Sequence, residues 1–147
     1  MKYLVVYEQG DSNWSAYAPD LPGCIATGVT HEETAETMRE AIAFHIDGLR
    51  EGGDAIPAPS AQVGMVEVPG EPAARYLVVF GRESSGYEAH APDLLPECEA
   101  LGATLDEVRE MMKKAITGYV EQLRADGRAI PEPSAQVGTV EVELAVA

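Results

Sequence analysis

Short apolar runs bounded by turn formers open each half of the chain. Lys2 to Glu8 and, later, Arg75 to Gly81 are rich in Val, Tyr and Leu and run into turn formers, Gly10-Asp11-Ser12-Asn13 and Ser84-Ser85-Gly86. Each pattern predicts a strand entering a hairpin, with Trp14 to Ala18 and Tyr87 to Ala91 as the returning strands. The next segment, Pro19-Asp20-Leu21-Pro22-Gly23, must be a loop, because two prolines three apart remove amide donors and fix the backbone twice. A short third strand, Cys24 to Val29, follows.

A period of between three and four residues then appears. Thr30-His31-Glu32-Glu33 and Thr104-Leu105-Asp106-Glu107 are capping boxes, in which a Thr hydroxyl and a Glu carboxylate satisfy amide donors at a helix start. The stripes behind them run Met38, Ile42, His45, Leu49 and Val108, Met112, Ile116, Tyr119, Leu123, which predicts two amphipathic helices. Gly52-Gly53 and Gly127 stop them. The prolines of Ile56-Pro57-Ala58-Pro59-Ser60 and Ile130-Pro131-Glu132-Pro133-Ser134 impose extended chain, and Val63 to Val68 and Val137 to Val142 alternate as fourth strands. The predicted fold class is α+β, built as β-β-β-α-β twice.

The recurrence is an internal duplication. Tyr3-Leu4-Val5-Val6 returns as Tyr76-Leu77-Val78-Val79 and Ala18-Pro19-Asp20 as Ala91-Pro92-Asp93, both at an offset of 73. One inserted residue in the doubled Leu94-Leu95 raises the offset to 74, at which Ile56 to Val68 matches Ile130 to Val142 almost throughout. About half of all aligned positions are identical, which shared composition does not produce in one register. The expected organisation is unit 1 over 1–68, a Pro/Gly linker over 69–74 and unit 2 over 75–147, joined as a pseudo-two-fold, intramolecular pseudo-dimer.

Composition narrows the function. Among 147 residues, 10 Lys and Arg face 25 Asp and Glu, a formal charge of −15. So anionic a chain repels phosphate backbones, so direct nucleic-acid binding is not expected, whereas a basic partner would be drawn in. The first apolar run, Tyr3 to Tyr7, is too short for a signal-peptide core or a membrane span, and the reading is a cytoplasmic protein, in which the Asn13-Trp14-Ser15 sequon finds no acceptor machinery. Cys24 and Cys98 are too few for a disulfide framework and read as small buried hydrophobes.

Catalytic chemistry has no candidate. His31 begins a near miss to the zinc-protease motif, but Ala35 stands where the second histidine is required. His45 reads as a hydrogen-bonded packing residue and His90 stands alone on a strand. No serine has a matching His and Asp, and no phosphate-binding glycine loop is present. Metal-dependent nuclease chemistry needs converging carboxylates. The first strand has none inside it, and Asp20 and Asp93 read as turn residues. The Pro-x-Pro tails read as stiff connectors and Met38, Met111 and Met112 as core filler. No cofactor or metal is expected.

A hairpin, Pro19-Asp20-Leu21-Pro22-Gly23-Cys24, Gly28-Val29-Thr30 with Glu33, and Ile56-Pro57-Ala58-Pro59-Ser60, in that order, resemble the HicB family of antitoxins and HicB-like proteins. The second copy keeps Pro92-Asp93-Leu94, Pro96, Cys98, Gly102-Ala103-Thr104, Glu107 and Ile130-Pro131-Glu132-Pro133-Ser134. It departs where Leu95 is added and Glu97 replaces Gly23, a position at which only glycine adopts positive φ readily. The resemblance implies a partial RNase H-like fold and neutralisation of a small basic HicA-type toxin, an RNA-cleaving protein. A second copy of the unit stands where many family members carry a DNA-binding module, so the resemblance does not extend to autorepression. The expected partner-binding residues are those of the repeated loop: Asp20, Leu21, Pro22 and Gly23, with Asp93, Leu94, Leu95 and Pro96. The alternative is an orphan HicB-like protein without a toxin, acting as an oligomerising or regulatory scaffold.

Overall fold

The computed structural model describes residues 1–70 and 73–142. In chain order these form β1 (Lys2–Gln9), β2 (Trp14–Tyr17), β3 (Ile25–Gly28), α1 (His31–Glu51), β4 (Gln62–Val68), β5 (Ala74–Glu83), β6 (Gly86–His90), β7 (Glu99–Gly102), α2 (Leu105–Ala125) and β8 (Gln136–Glu141). A short 3-10 turn, Pro92–Leu94, precedes β7. The class is mixed helix and antiparallel sheet, and the order β-β-β-α-β occurs twice.

The compact units are not the sequence repeats. One comprises Met1–Ala61 with Ala135–Ala147, the other Gln62–Ser134. The first sheet has the order β3-β2-β1-β8 and the second β4-β5-β6-β7. Each repeat thus gives its last strand to the sheet founded on the other repeat's hairpin. The pairings are reciprocal, since Val5 lies opposite Gly138 and its repeat counterpart Val78 opposite Gly64. The cause is a short connection. The ladder between β4 and β5 reaches Val68 opposite Ala74, so few residues of chain separate the two strands, and antiparallel neighbours are the natural product of so short a connection. Of the segment 69–74 expected as a linker, Ala74 belongs to β5 and residues 71–72 lie outside the described residues.

In each unit one helix covers one sheet face. The first core joins Tyr3, Val5 and Tyr7 of β1 to Ala16, Ala26, Val140 and the helix residues Met38, Ile42 and Ile46. The second joins Tyr76, Val78 and Phe80 to Ala89, Ala100, Val108, Met112, Ile116 and Val120. Ile46 and Val120 hold the places that the stripe reading gave to His45 and Tyr119, which are half-buried beside them, as is Leu49. The buried positions 34, 38, 42 and 46 follow the i+4 row, which is inclined to the helix axis, rather than an alternation of three and four.

Both capping boxes form as the sequence predicts. Thr30 Oγ1 accepts from Glu33 N–H at 3.1 Å and Glu33 Oε2 accepts from Val29 N–H at 3.0 Å. Thr104 and Glu107 repeat this, with Ala103 N–H as the second donor. The glycine before each cap has a steric role. A Cβ on Gly28 would lie 2.6 Å from Thr34 Oγ1, and one on Gly102 2.9 Å from Val108 Cγ2, so only glycine lets strand end and first helical turn approach this closely.

Candidate functional site

The loop after the second strand of each repeat is built as a folded bracket rather than an open contact surface. In the first unit Leu21 N–H donates to Ala18 C=O and Cys24 N–H to Leu21 C=O, both at 3.0 Å, which turns the Leu21 side chain inward until it is fully buried. Gly23 completes the turn at φ +85°, in the left-handed region that favours glycine. The Asp20 carboxylate then reaches the Pro-rich tail. It accepts from Ser60 N–H at 3.1 Å, from Ser60 Oγ at 2.9 Å and from Ala61 N–H at 3.1 Å.

The second unit solves the same problem with one more residue. Leu95 lengthens the closing bond from a step of three to a step of four, Cys98 N–H to Leu94 C=O at 2.9 Å. Among the described residues none other than glycine has positive φ, so Glu97 does not copy the Gly23 geometry. The Leu95–Pro96 peptide is cis. Asp93 still binds its tail, accepting from Ser134 N–H at 3.1 Å and Ser134 Oγ at 3.0 Å, while Leu94 is buried. A tyrosine clamps the same tail from the first strand, the Tyr3 and Tyr76 hydroxyls donating to the carbonyls of Pro57 and Pro131.

Of the eight loop residues expected to meet a partner, Asp20, Leu21, Asp93 and Leu94 are therefore committed to structure. Pro22, Gly23, Leu95 and Pro96 are exposed. The serines that complete each bracket were not singled out in the sequence, although Asp and Ser recur together, 40 and 41 residues apart, in both copies. The histidines are scattered. His31 opens α1 with its ring 4.3 Å from that of Tyr7 and edge-on to Trp14 at 5.1 Å. His90 Nδ1 lies 3.5 Å from Glu88 Oε2. Among the described residues no group of three or more His, Cys, Asp or Glu is placed to hold a metal ion, and no helix is long and apolar enough to cross a membrane. In the second unit a groove of about 390 Å³ runs between β4 and α2 over Val78 and Phe80, with the Arg109 guanidinium 5.7 Å above the Phe80 ring.

Burial also sets the protonation of the bracket. It raises the Tyr3 and Tyr76 hydroxyls above their usual range, and the Asp20 and Asp93 charges add to it. Burial, with Glu97 beside it, pushes the Cys98 thiol from an ordinary 9.0 up to about 11. Groups whose folded pKa is raised stabilise the fold fully below their ordinary pKa and lose that contribution as pH climbs through the raised value. Stability carried by Cys98 should hold at neutral pH and fall between about pH 9 and about pH 11. The same burial predicts that Cys98 resists iodoacetamide at pH 8 until denaturant is added; rapid labelling of the folded chain would contradict it.

A model of the HicB-like antitoxins of bacterial toxin–antitoxin systems matches residues 3–71. A UPF0150 protein of Thermoplasma acidophilum is 33% identical over 63 residues, covering 42% of this chain and 91% of that protein. Antitoxin HicB 2 of Photorhabdus laumondii is 32% identical over 80 residues, covering 54% of this chain and 58% of the antitoxin. The chain belongs to the HicB family. It spans little more than half the length of the Photorhabdus HicB. Among solved structures, a HicA3–HicB3 toxin–antitoxin complex aligns over 98% of this chain and 100% of that one, at 18% identity and a TM-score of 0.42. The residues that fix the brackets of this HicB protein, Tyr3, Asp20, Leu21 and Ser60, fall inside the matched segment.

Proposed function

We propose that this chain is an antitoxin that neutralises a small basic HicA-type RNA-cleaving toxin by binding it, a binding protein rather than an enzyme, composed of two tandem HicB-like units with a partial RNase H-like fold. Membership of the HicB-like antitoxins carries the reading. A net charge of −15 supports it, because an acidic surface competes with RNA for a basic one and speeds the encounter. Pro22, Gly23, Leu95 and Pro96 remain the loop residues available for contact, since their neighbours hold the loop itself. The test is co-expression with a small basic HicA-type protein, sought first in the adjoining reading frame. Growth arrest by that protein should be relieved by this chain, and the two should co-purify. Toxicity that persists without any complex would refute the reading.

A further inference from the structure

The two helices bury matching stripes but present different outer faces. In α1 the positions opposite the core, 33, 37, 40, 44, 47 and 51, form one stripe by steps of three and four. Phe44 stands at its middle, 82% exposed. Glu40, Asp47 and Glu51 surround it, and α1 as a whole carries six acids against two arginines. Both arginines are occupied within the helix, Arg39 by Glu36 and Arg50 by Asp47 at 3.5 Å. At the matching positions α2 has Gly118 for Phe44 and Lys114 for Glu40, and its four acids are balanced by four bases. Gly118 at the equivalent place in α2 shows that the fold does not require a ring there, and an aromatic centre with a polar rim is the composition of interface patches.

We infer that the outer face of α1, with Phe44 as its anchor and Glu40, Asp47 and Glu51 as its rim, docks the basic toxin, a contact that α2 of the second unit does not duplicate. The inference rests on the antitoxin reading and deepens it. Phe44 enters an apolar pocket on the toxin while the carboxylates meet the Lys and Arg around that pocket, which steers the encounter and fixes its orientation. A second copy of this chain is the poorer occupant, because two such acidic faces would repel each other.

The test uses the full chain and the HicA-type toxin that it neutralises in the co-expression test, in a form that no longer cleaves RNA, with affinity and association rate measured by surface plasmon resonance. Phe44→Ala should weaken binding by roughly thirtyfold or more, as for an interface anchor. Its melting temperature should stay unchanged, because the ring is exposed and Ala favours helix. Glu40→Lys should slow association and flatten its salt dependence. Binding of the wild type with unchanged affinity for Phe44→Ala overturns the assigned face and leaves the antitoxin reading standing. Failure of the wild type to bind overturns both. Conversion of a dimer to a monomer by Phe44→Ala, with toxin affinity unchanged, overturns the inference in favour of self-association.

Discussion

Expressed alone, the segment Gln62–Ser134 should fold as a cooperative monomer, whereas 1–68 and 75–147, the repeats as the sequence delimits them, should not. The segment contains every strand of its sheet, its helix and its Asp93–Ser134 bracket. Its 73 residues are enough for a small core, with a stability of roughly 4 to 11 kcal/mol. Residues 1–68 lack β8, and with it six paired positions along β1 and the buried Val140. At about 0.5–1.5 kcal/mol per ladder hydrogen bond and about 2 kcal/mol for the valine, that loss is comparable to the whole stability of such a unit. The fragment keeps β4, whose twin in sequence is the strand it has lost. At high concentration 1–68 should therefore regain structure only as a dimer in which β4 of one copy pairs with β1 of the other. Thermal denaturation followed by circular dichroism, with sedimentation across a concentration series, separates these outcomes. A cooperatively folded monomer of 1–68 would show that β4 can close its own repeat's sheet.

The sequence made the elements legible and left their partners open. Strand positions, both capping boxes and the stop glycines follow from local pattern, since alternation, Thr-x-x-Glu and Gly act within a few residues. Strand exchange does not. Tyr3-Leu4-Val5-Val6 and Tyr76-Leu77-Val78-Val79 are the same sequence, so β4 finds the same apolar ladder in either repeat and no pattern along the chain chooses between them. The choice is topological, set by the few residues between Val68 and Ala74. The stripe of α1 was displaced by one residue at His45 because an apolar Ile46 and a partly apolar His45 both fit a period near 3.6, and only the packing of the folded helix on its sheet prefers the former. In the loop, chemistry alone could not separate a carboxylate offered to a partner from one bonded to a serine 40 residues away. Phe44 drew no reading from the sequence, because its meaning depends on exposure, which is a property of the folded chain.

That distinction in the loop has a large and measurable consequence for stability. Leu21→Ala removes a fully buried side chain from the first core and should cost about 2–5 kcal/mol, the range for a leucine whose site cannot collapse. Asp20→Ala deprives Ser60 N–H, Ser60 Oγ and Ala61 N–H of their acceptor. Ser60 is exposed, so water replaces part of what is lost and the cost should be nearer 1–3 kcal/mol. Leu94→Ala and Asp93→Ala should do the same to the second unit, whereas Pro22→Ala and Leu95→Ala, at exposed positions, should stay within about 0.5 kcal/mol. Urea denaturation of the full chain reads these differences, with two transitions expected once one unit is weakened more than the other. The decisive measurement is a double-mutant cycle of Asp20→Ala with Ser60→Ala. If the carboxylate holds the tail, the two losses are not additive and the coupling should reach about 0.5 kcal/mol or more. Strict additivity would mean that Asp20 does not act through Ser60, and would return Asp20 to the set of residues open to a partner.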